Sequence, residues 1–503
     1  MKKLSFISSV MVLAFLSSCT TDESPIQKEQ IIEVVTHEEP LSAIEVSNQI
    51  NTLFEQNGSF NWSQASDYLL WSAAINGDNI LTIGYGNEGE SFSTNRSNEL
   101  IQIKDEIIKT VLTTSSDTSK KREDILLYDD PILNNIDVII TDFNSVVELR
   151  KNNQIRYIEP EGFTFSNENL ERSSSGCSQS GETISSSDYG TLPSGAKVPW
   201  NFYDHNIDDA WAYSTGRGIG VGVIDTGVSS KQSYLGSKFD DAYSGRTISK
   251  YGTYVDSIWP WKTNTDGPDD KCGHGTSASA TIAAPNNTAS QFVGVAYECN
   301  LVSYRGTSDV VLNGYHERKG VSKALVELGD RNDVKIISMS IGYPWSIGSI
   351  KDAIRYAYSK NKLIFAAGGT STDFTNWYGV IFPATMSETV AVTGVEEQTN
   401  YQECDVCHTG SDMDFTIIME RNNNHHQPVL GFNNGDSSYF GGSSVATAVT
   451  AGIAALVWSE NPTWSRAQVL QRLKESSEFY PSKDGDFGYG NIDALKAVTG
   501  NGI

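Results

Sequence analysis

Hydrophobic and polar positions alternate differently in two parts of the chain, and the difference predicts two kinds of architecture. Residues 42–54 carry apolar side chains at helical spacing. Two strand-like runs follow at 68–75 and 79–85, joined at Asn76-Gly77, a dipeptide that favours a hairpin turn. Residues 98–112 read as an amphipathic helix with Ile101, Ile103, Ile107, Ile108 and Val111 as apolar positions. Strands at 125–128 and 136–141, a helix at 145–151 and a last strand at 155–160 complete an α+β order. Farther on, short unbroken apolar runs at 219–224, 301–304, 336–339 and 363–366 have the composition of buried strands. Small-residue runs at 278–284 and 445–456 suit helices packed closely inside a protein.

Composition divides the chain further. Lys2 and Lys3, an apolar run over 4–16 and Ser17-Ser18-Cys19 make residues 1–19 an export signal. Residues 20–40 are polar and acidic and read as a flexible tether, and 41–165 form the α+β domain. Residues 166–195, rich in Ser and Gly, have linker composition, and 196–503 form the last domain. No stretch beyond the signal is expected to cross a membrane. The formal charge of −25 argues against a nucleic-acid partner, whose phosphates it would repel. Cysteines in an exported chain are expected to pair, and Cys272 with Cys299 is the expected bridge. Cys404-Asp405-Val406-Cys407-His408 has haem-attachment spacing and, with His425 and His426, also the makings of a zinc cluster, while a small disulfide loop is the plainer reading.

Three short motifs carry chemistry. In Gly441-Gly442-Ser443-Ser444-Val445-Ala446 a serine opens an apolar helix, whose positive end suits a developing oxyanion. The run 219–224 ends on Asp225, followed by Thr226-Gly227, and Gly273-His274-Gly275 precedes the small-residue run at 278–284. Each is ambiguous alone. Together they stand in the order Asp, His, Ser, one of the chain orders in which a nucleophile, its base and an orienting acid occur.

These motifs resemble those of the subtilisin-like serine peptidases, the subtilase family, and the likeness runs from about residue 199 to the end of the chain. It implies an α/β fold, a doubly wound, mostly parallel sheet with flanking helices, preceded by a small α+β propeptide. It implies Asp225, His274 and Ser444 as the triad, because Gly442-Ser443-Ser444-Val445-Ala446 aligns with the family's Gly-Thr-Ser-Met-Ala. Ser340, Ile341, Gly342, Ala366, Ala367 and Gly368 match positions that bind the substrate peptide. The family's Ala-Ala-Gly-Asn reads Ala366-Ala367-Gly368-Gly369, so the asparagine that donates to the oxyanion is absent. The Ser444 N–H stays, and Thr370 or Asn376 is a candidate substitute.

Residues 146–160 resemble the end of the inhibitor-type propeptide, which implies a self-processing zymogen cut in the linker, with its own propeptide as inhibitor. Leu16-Ser17-Ser18-Cys19 resembles a lipobox, which implies lipidation of Cys19, membrane attachment only through that lipid, and loss of the anchor on maturation. No cofactor is expected for catalysis. A structural calcium is implied by the likeness of Asn286-Asn287 to one of the family's sites, although Tyr234 stands where a ligand aspartate is expected. Two further readings follow from the missing asparagine and from the acyl-enzyme chemistry: a peptide-binding protein with little activity, and a peptide ligase or macrocyclase.

Overall fold

The computed structural model describes residues 39–165, 176–241, 243–370, 379–397 and 401–500. Cys19, the export segment, nearly all of the tether and residues 166–175 of the linker lie outside them.

The first region contains helices α1 (Ala43–Asn57) and α2 (Asp67–Asn76), strand β1 (Ile80–Tyr85), helix α3 (Asn98–Thr114), strands β2 (Leu126–Asp129) and β3 (Asn135–Ile139), helix α4 (Phe143–Leu149) and strand β4 (Ile155–Glu159). The strands form an antiparallel sheet in the order β2-β3-β1-β4. The expected hairpin is a correction: residues 67–76 are helical. Ser66 caps that helix by accepting from the Leu69 N–H, and residues 69–74 are all buried. A helix apolar on every side shows no helical period, so its pattern passes for a strand. The chain then turns through Asp78 and Asn79, both at positive φ, into β1.

The second region supplies strands β5 (Gly220–Asp225) and β6 (Ile248–Gly252), helix α5 (His274–Ala283), strand β7 (Asn300–Arg305), helix α6 (Tyr315–Asp330), strand β8 (Ile336–Met339), helix α7 (Gly348–Ser359), strands β9 (Leu363–Ala367), β10 (Val390–Glu396) and β11 (Phe415–Glu420), and helix α8 (Gly442–Glu460). Its seven-stranded sheet has the order β11-β10-β9-β8-β5-β7-β6, with every neighbouring pair parallel. Alternate side chains enter opposite layers: Leu363 and Phe365 join the core under α5 and α8, and Ile364 joins the core under α6 and α7. This is the doubly wound arrangement. Helix α8 is long and apolar enough to span a bilayer, contrary to expectation, but its residues are core. Gly452 shows how tightly it packs, since a Cβ there would lie 2.6 Å from Val295 Cβ.

The α+β domain sits on α6 and α7. Asp137 accepts from Tyr315 Oη at 2.7 Å and Lys319 Nζ at 2.8 Å. Arg156 grips Asp352 with two bonds of 2.6 and 2.7 Å, and Glu159 accepts from the Gly348 N–H at the start of α7 at 2.8 Å. Phe60 and Phe165 add edge-on contacts to Trp345.

Candidate active site

Parallel strands end together at one edge of the sheet, and the order of strands reverses at β5 and β8, where such sheets open a crevice. Asp225 is the last residue of β5, Ser340 follows β8, and Ala366 and Ala367 end β9. The strand pattern alone therefore gathers these residues at one rim.

Asp225 is fully buried, and its Oδ1 accepts from the Thr226 N–H at 2.7 Å. His274 opens α5, with Nδ1 at 2.8 and 3.0 Å from the two carboxylate oxygens. Close approach explains the flanking glycines: a Cβ at Gly275 would lie 2.4 Å from Gly227 O, and one at Gly273 2.0 Å from Ser178 O. Asp270, which the motif reading passed over, shapes the turn by accepting from the N–H groups of Cys272, Gly273 and Thr276 and from the hydroxyls of Thr226 and Thr276. No local pattern marks it out. Burial opposes an imidazolium at His274, but the adjacent Asp225 carboxylate outweighs it and holds the pKa above its ordinary 6.5.

Helix α8 packs on α5 and begins with the two serines. Phe440, just before it, meets the His274 ring edge-on at 5.1 Å. The serines differ. Ser443 is buried, and its Oγ accepts from the Gly369 N–H and lies within hydrogen-bonding reach of Thr370 Oγ1, each at 3.2 Å. Ser444 is half-buried, and its carbonyl is held by Ser340 Oγ at 3.0 Å. Ser444 is thus the more exposed of the two. Gly342 has both backbone groups paired with residues 310–312, Gly368 is paired with Val392 and Ile381, and Ile341 is buried.

The cysteines require a correction. Cys272 bonds to Cys177, not to Cys299, which is buried and free, its thiol pushed up to about 11 by burial. Cys299 faces the core between α5 and β7, while the chain before the catalytic domain passes beside the His274 turn. Cys404 and Cys407 are joined to each other, so neither thiol remains for haem or zinc. His425 pairs with Asp188 at 2.6 Å, His426 packs against Gly441, and no metal-holding cluster of His, Cys, Asp or Glu occurs among the described residues. Asn287 does not fit a calcium ligand: its Oδ1 already accepts from the N–H groups of Ala289 and Gln291, and Tyr234 is buried. Asn376 lies outside the described residues.

Subtilisin E of Bacillus subtilis (strain 168) is 28% identical to this chain over 291 residues, which is 56% of this chain and 66% of Subtilisin E. Alkaline elastase YaB of Bacillus sp. (strain YaB) is 29% identical over 304 residues, 60% of this chain and 70% of that protein. Among solved structures, fervidolysin from Fervidobacterium pennivorans matches with a TM-score of 0.57 at 16% identity, covering 84% of this chain and 61% of that one, a likeness of fold. The chain spans just under two thirds of the length of Subtilisin E and of fervidolysin. Residues 216–490, more than half of the chain, match the Subtilase family, and the chain belongs to that family.

Proposed function

We propose that the protein is a serine endopeptidase, made as a zymogen that cuts itself. The observation that carries this reading is the buried Asp225–His274 pair at the sheet rim, together with a half-buried Ser444 in the first turn of the helix packed on α5. In the reaction Ser444 Oγ adds to a peptide carbonyl while His274 Nε2 takes its proton and then gives it to the leaving amine. Asp225 keeps the other ring nitrogen protonated and balances the imidazolium. Water repeats the sequence to free the acyl group. Because the base works neutral and its pKa is raised, kcat/KM falls on the acid side with a midpoint above 6.5. The substrate is a protein or peptide held along Ser340, Ile341, Gly342 and Ala366 to Gly368.

Self-processing draws support from the two ends of the linker. Phe165 packs on Trp345, and Gly176 lies beside the catalytic ring, where a Cβ would be 3.5 Å from His274 Cδ2. The α+β domain is the propeptide in this reading and Cys19 its lipid anchor. The Cys177–Cys272 bond narrows the cut: a break before Cys177 frees the anchored part, whereas one after it leaves the two parts joined by the disulfide.

The test is intact mass and non-reducing electrophoresis of the precursor and its Ser444→Ala form. The wild type is expected to split between Phe165 and Gly176 into separable pieces, and the variant to react about 10⁴–10⁶-fold more slowly. Two precursors that stay whole, or split alike, refute self-processing by this triad.

A further inference from the structure

His408 is a buried histidine with no ordinary occupation. It is 4% exposed, and although the Gly379 backbone acts on the ring, neither ring nitrogen makes a hydrogen bond of ordinary geometry among the described residues. Buried polar groups in folded proteins are nearly always paired, and an orphan needs an explanation. Its surroundings supply one. A Cβ built on Gly369 would lie 2.3 Å from His408 Nδ1, about the reach of two covalent bonds. The ring therefore begins where a side chain at position 369 would project, and Gly369 is the residue aligned with the missing asparagine. Gly369 also has φ +126°, which other residues rarely adopt. The side chain lost from one segment and the ring delivered from another are two parts of one arrangement.

The ring is anchored rather than merely inserted. The His408 N–H donates to Gly369 O at 3.0 Å, and Thr393 Oγ1 donates to His408 O at 2.7 Å. Cys407, one residue earlier, pairs antiparallel with Thr370 and is closed into a small loop by its bond to Cys404. The same stretch touches the nucleophile's turn, since the Gly369 N–H donates to Ser443 Oγ.

Building on the peptidase reading, we propose that His408 is the side-chain oxyanion donor of this enzyme, replacing the family's asparagine. When Ser444 Oγ bonds to the carbonyl carbon, the C=O π pair moves onto oxygen and the Ser444 proton goes to His274. One His408 N–H hydrogen-bonds that oxygen beside the Ser444 N–H and keeps its own proton throughout. Collapse returns the pair to the carbonyl, breaks the C–N bond and passes the His274 proton to the amine. Burial pushes the His408 pKa down to about 4, so the ring is neutral at working pH and acts as a donor without a charge.

His408→Phe keeps a ring and removes the donors. It is expected to lower kcat about 10²–10³-fold, the loss typical of one oxyanion donor, with KM changed less than about twofold and Tm not lowered. Affinity for a peptide aldehyde, whose adduct with Ser444 carries the same oxygen, falls in step, while affinity for a non-covalent product peptide does not. His408→Gln, which restores an N–H donor, recovers part of the loss. A His408→Phe enzyme within about threefold of wild-type kcat overturns the assignment, as does a Thr370→Val variant that alone takes the full loss. If His408→Phe does not fold, wild-type protein labelled with ¹⁵N-histidine decides: the His408 N–H resonance moves on aldehyde binding, and an unmoved resonance overturns the proposal. A wild type that neither hydrolyses peptides nor binds the aldehyde overturns the peptidase reading and this inference together, whereas full activity in His408→Phe overturns the inference alone.

Discussion

The two faces of the seven-stranded sheet are covered by different chemistry. On one face α5 and α8 lie in a core of alanine, valine, isoleucine and leucine, packed so closely that Gly452 touches Val295. On the other, α6 and α7 bury their inner sides likewise but turn outward to the α+β domain, which they meet through Asp137 with Lys319, Arg156 with Asp352, and Glu159 at the first N–H of α7. The first contact is non-directional and belongs to folding itself. The second adds buried, directional pairs to a hydrophobic cluster that the α+β region shares with these helices, with aromatic contacts at Trp345. A joint that includes buried ionisable groups is expected to respond to pH.

Three perturbations sharpen the contrast. Asp352→Ala leaves Arg156 buried without its partner, an arrangement that costs about 3–5 kcal/mol. In a chain carrying an engineered protease site between Phe165 and Gly176, the α+β domain of this variant is expected to dissociate from the nicked protein during gel filtration, while the catalytic domain keeps its melting temperature. Gly452→Leu acts on the other face. Overpacking there costs about 1–3 kcal/mol, so the melting temperature of the catalytic domain falls and the nicked domains stay together.

The third perturbation is pH. In the docked state burial, and then the neighbouring Glu161, push Glu159 up from 4.5 to about 8. A group whose pKa is raised on docking takes up a proton, so its contribution is whole below about 4.5 and is lost as pH climbs toward 8. Dissociation of the nicked protein should therefore grow between pH 5 and 8, and Glu159→Gln should flatten the trend. An increase toward low pH would contradict the assignment of Glu159.

Much of this was legible without coordinates. The runs at 219–224, 301–304, 336–339 and 363–366 all became parallel strands, because β-branched residues buried on both faces leave few alternatives. The α2 helix was misread for the converse reason, since burial on all sides erased its period. Cys177 stood in a stretch with linker composition, and nothing local tied it to Cys272, 95 residues away. His408 was visible only as the end of a Cys-x-x-Cys-His spacing, which pointed to haem or zinc.

The sequence by itself determined the fold class, the order Asp225, His274, Ser444 and the absence of an asparagine at 369, because each resides in a few consecutive residues whose apolar run or glycine turn dictates local backbone. Only the tertiary structure decided which cysteines meet, which of two adjacent serines is the more exposed, how the α+β domain is held and what fills the space beside Gly369. Those are distances between segments far apart in the chain, set by how strands order and helices pack.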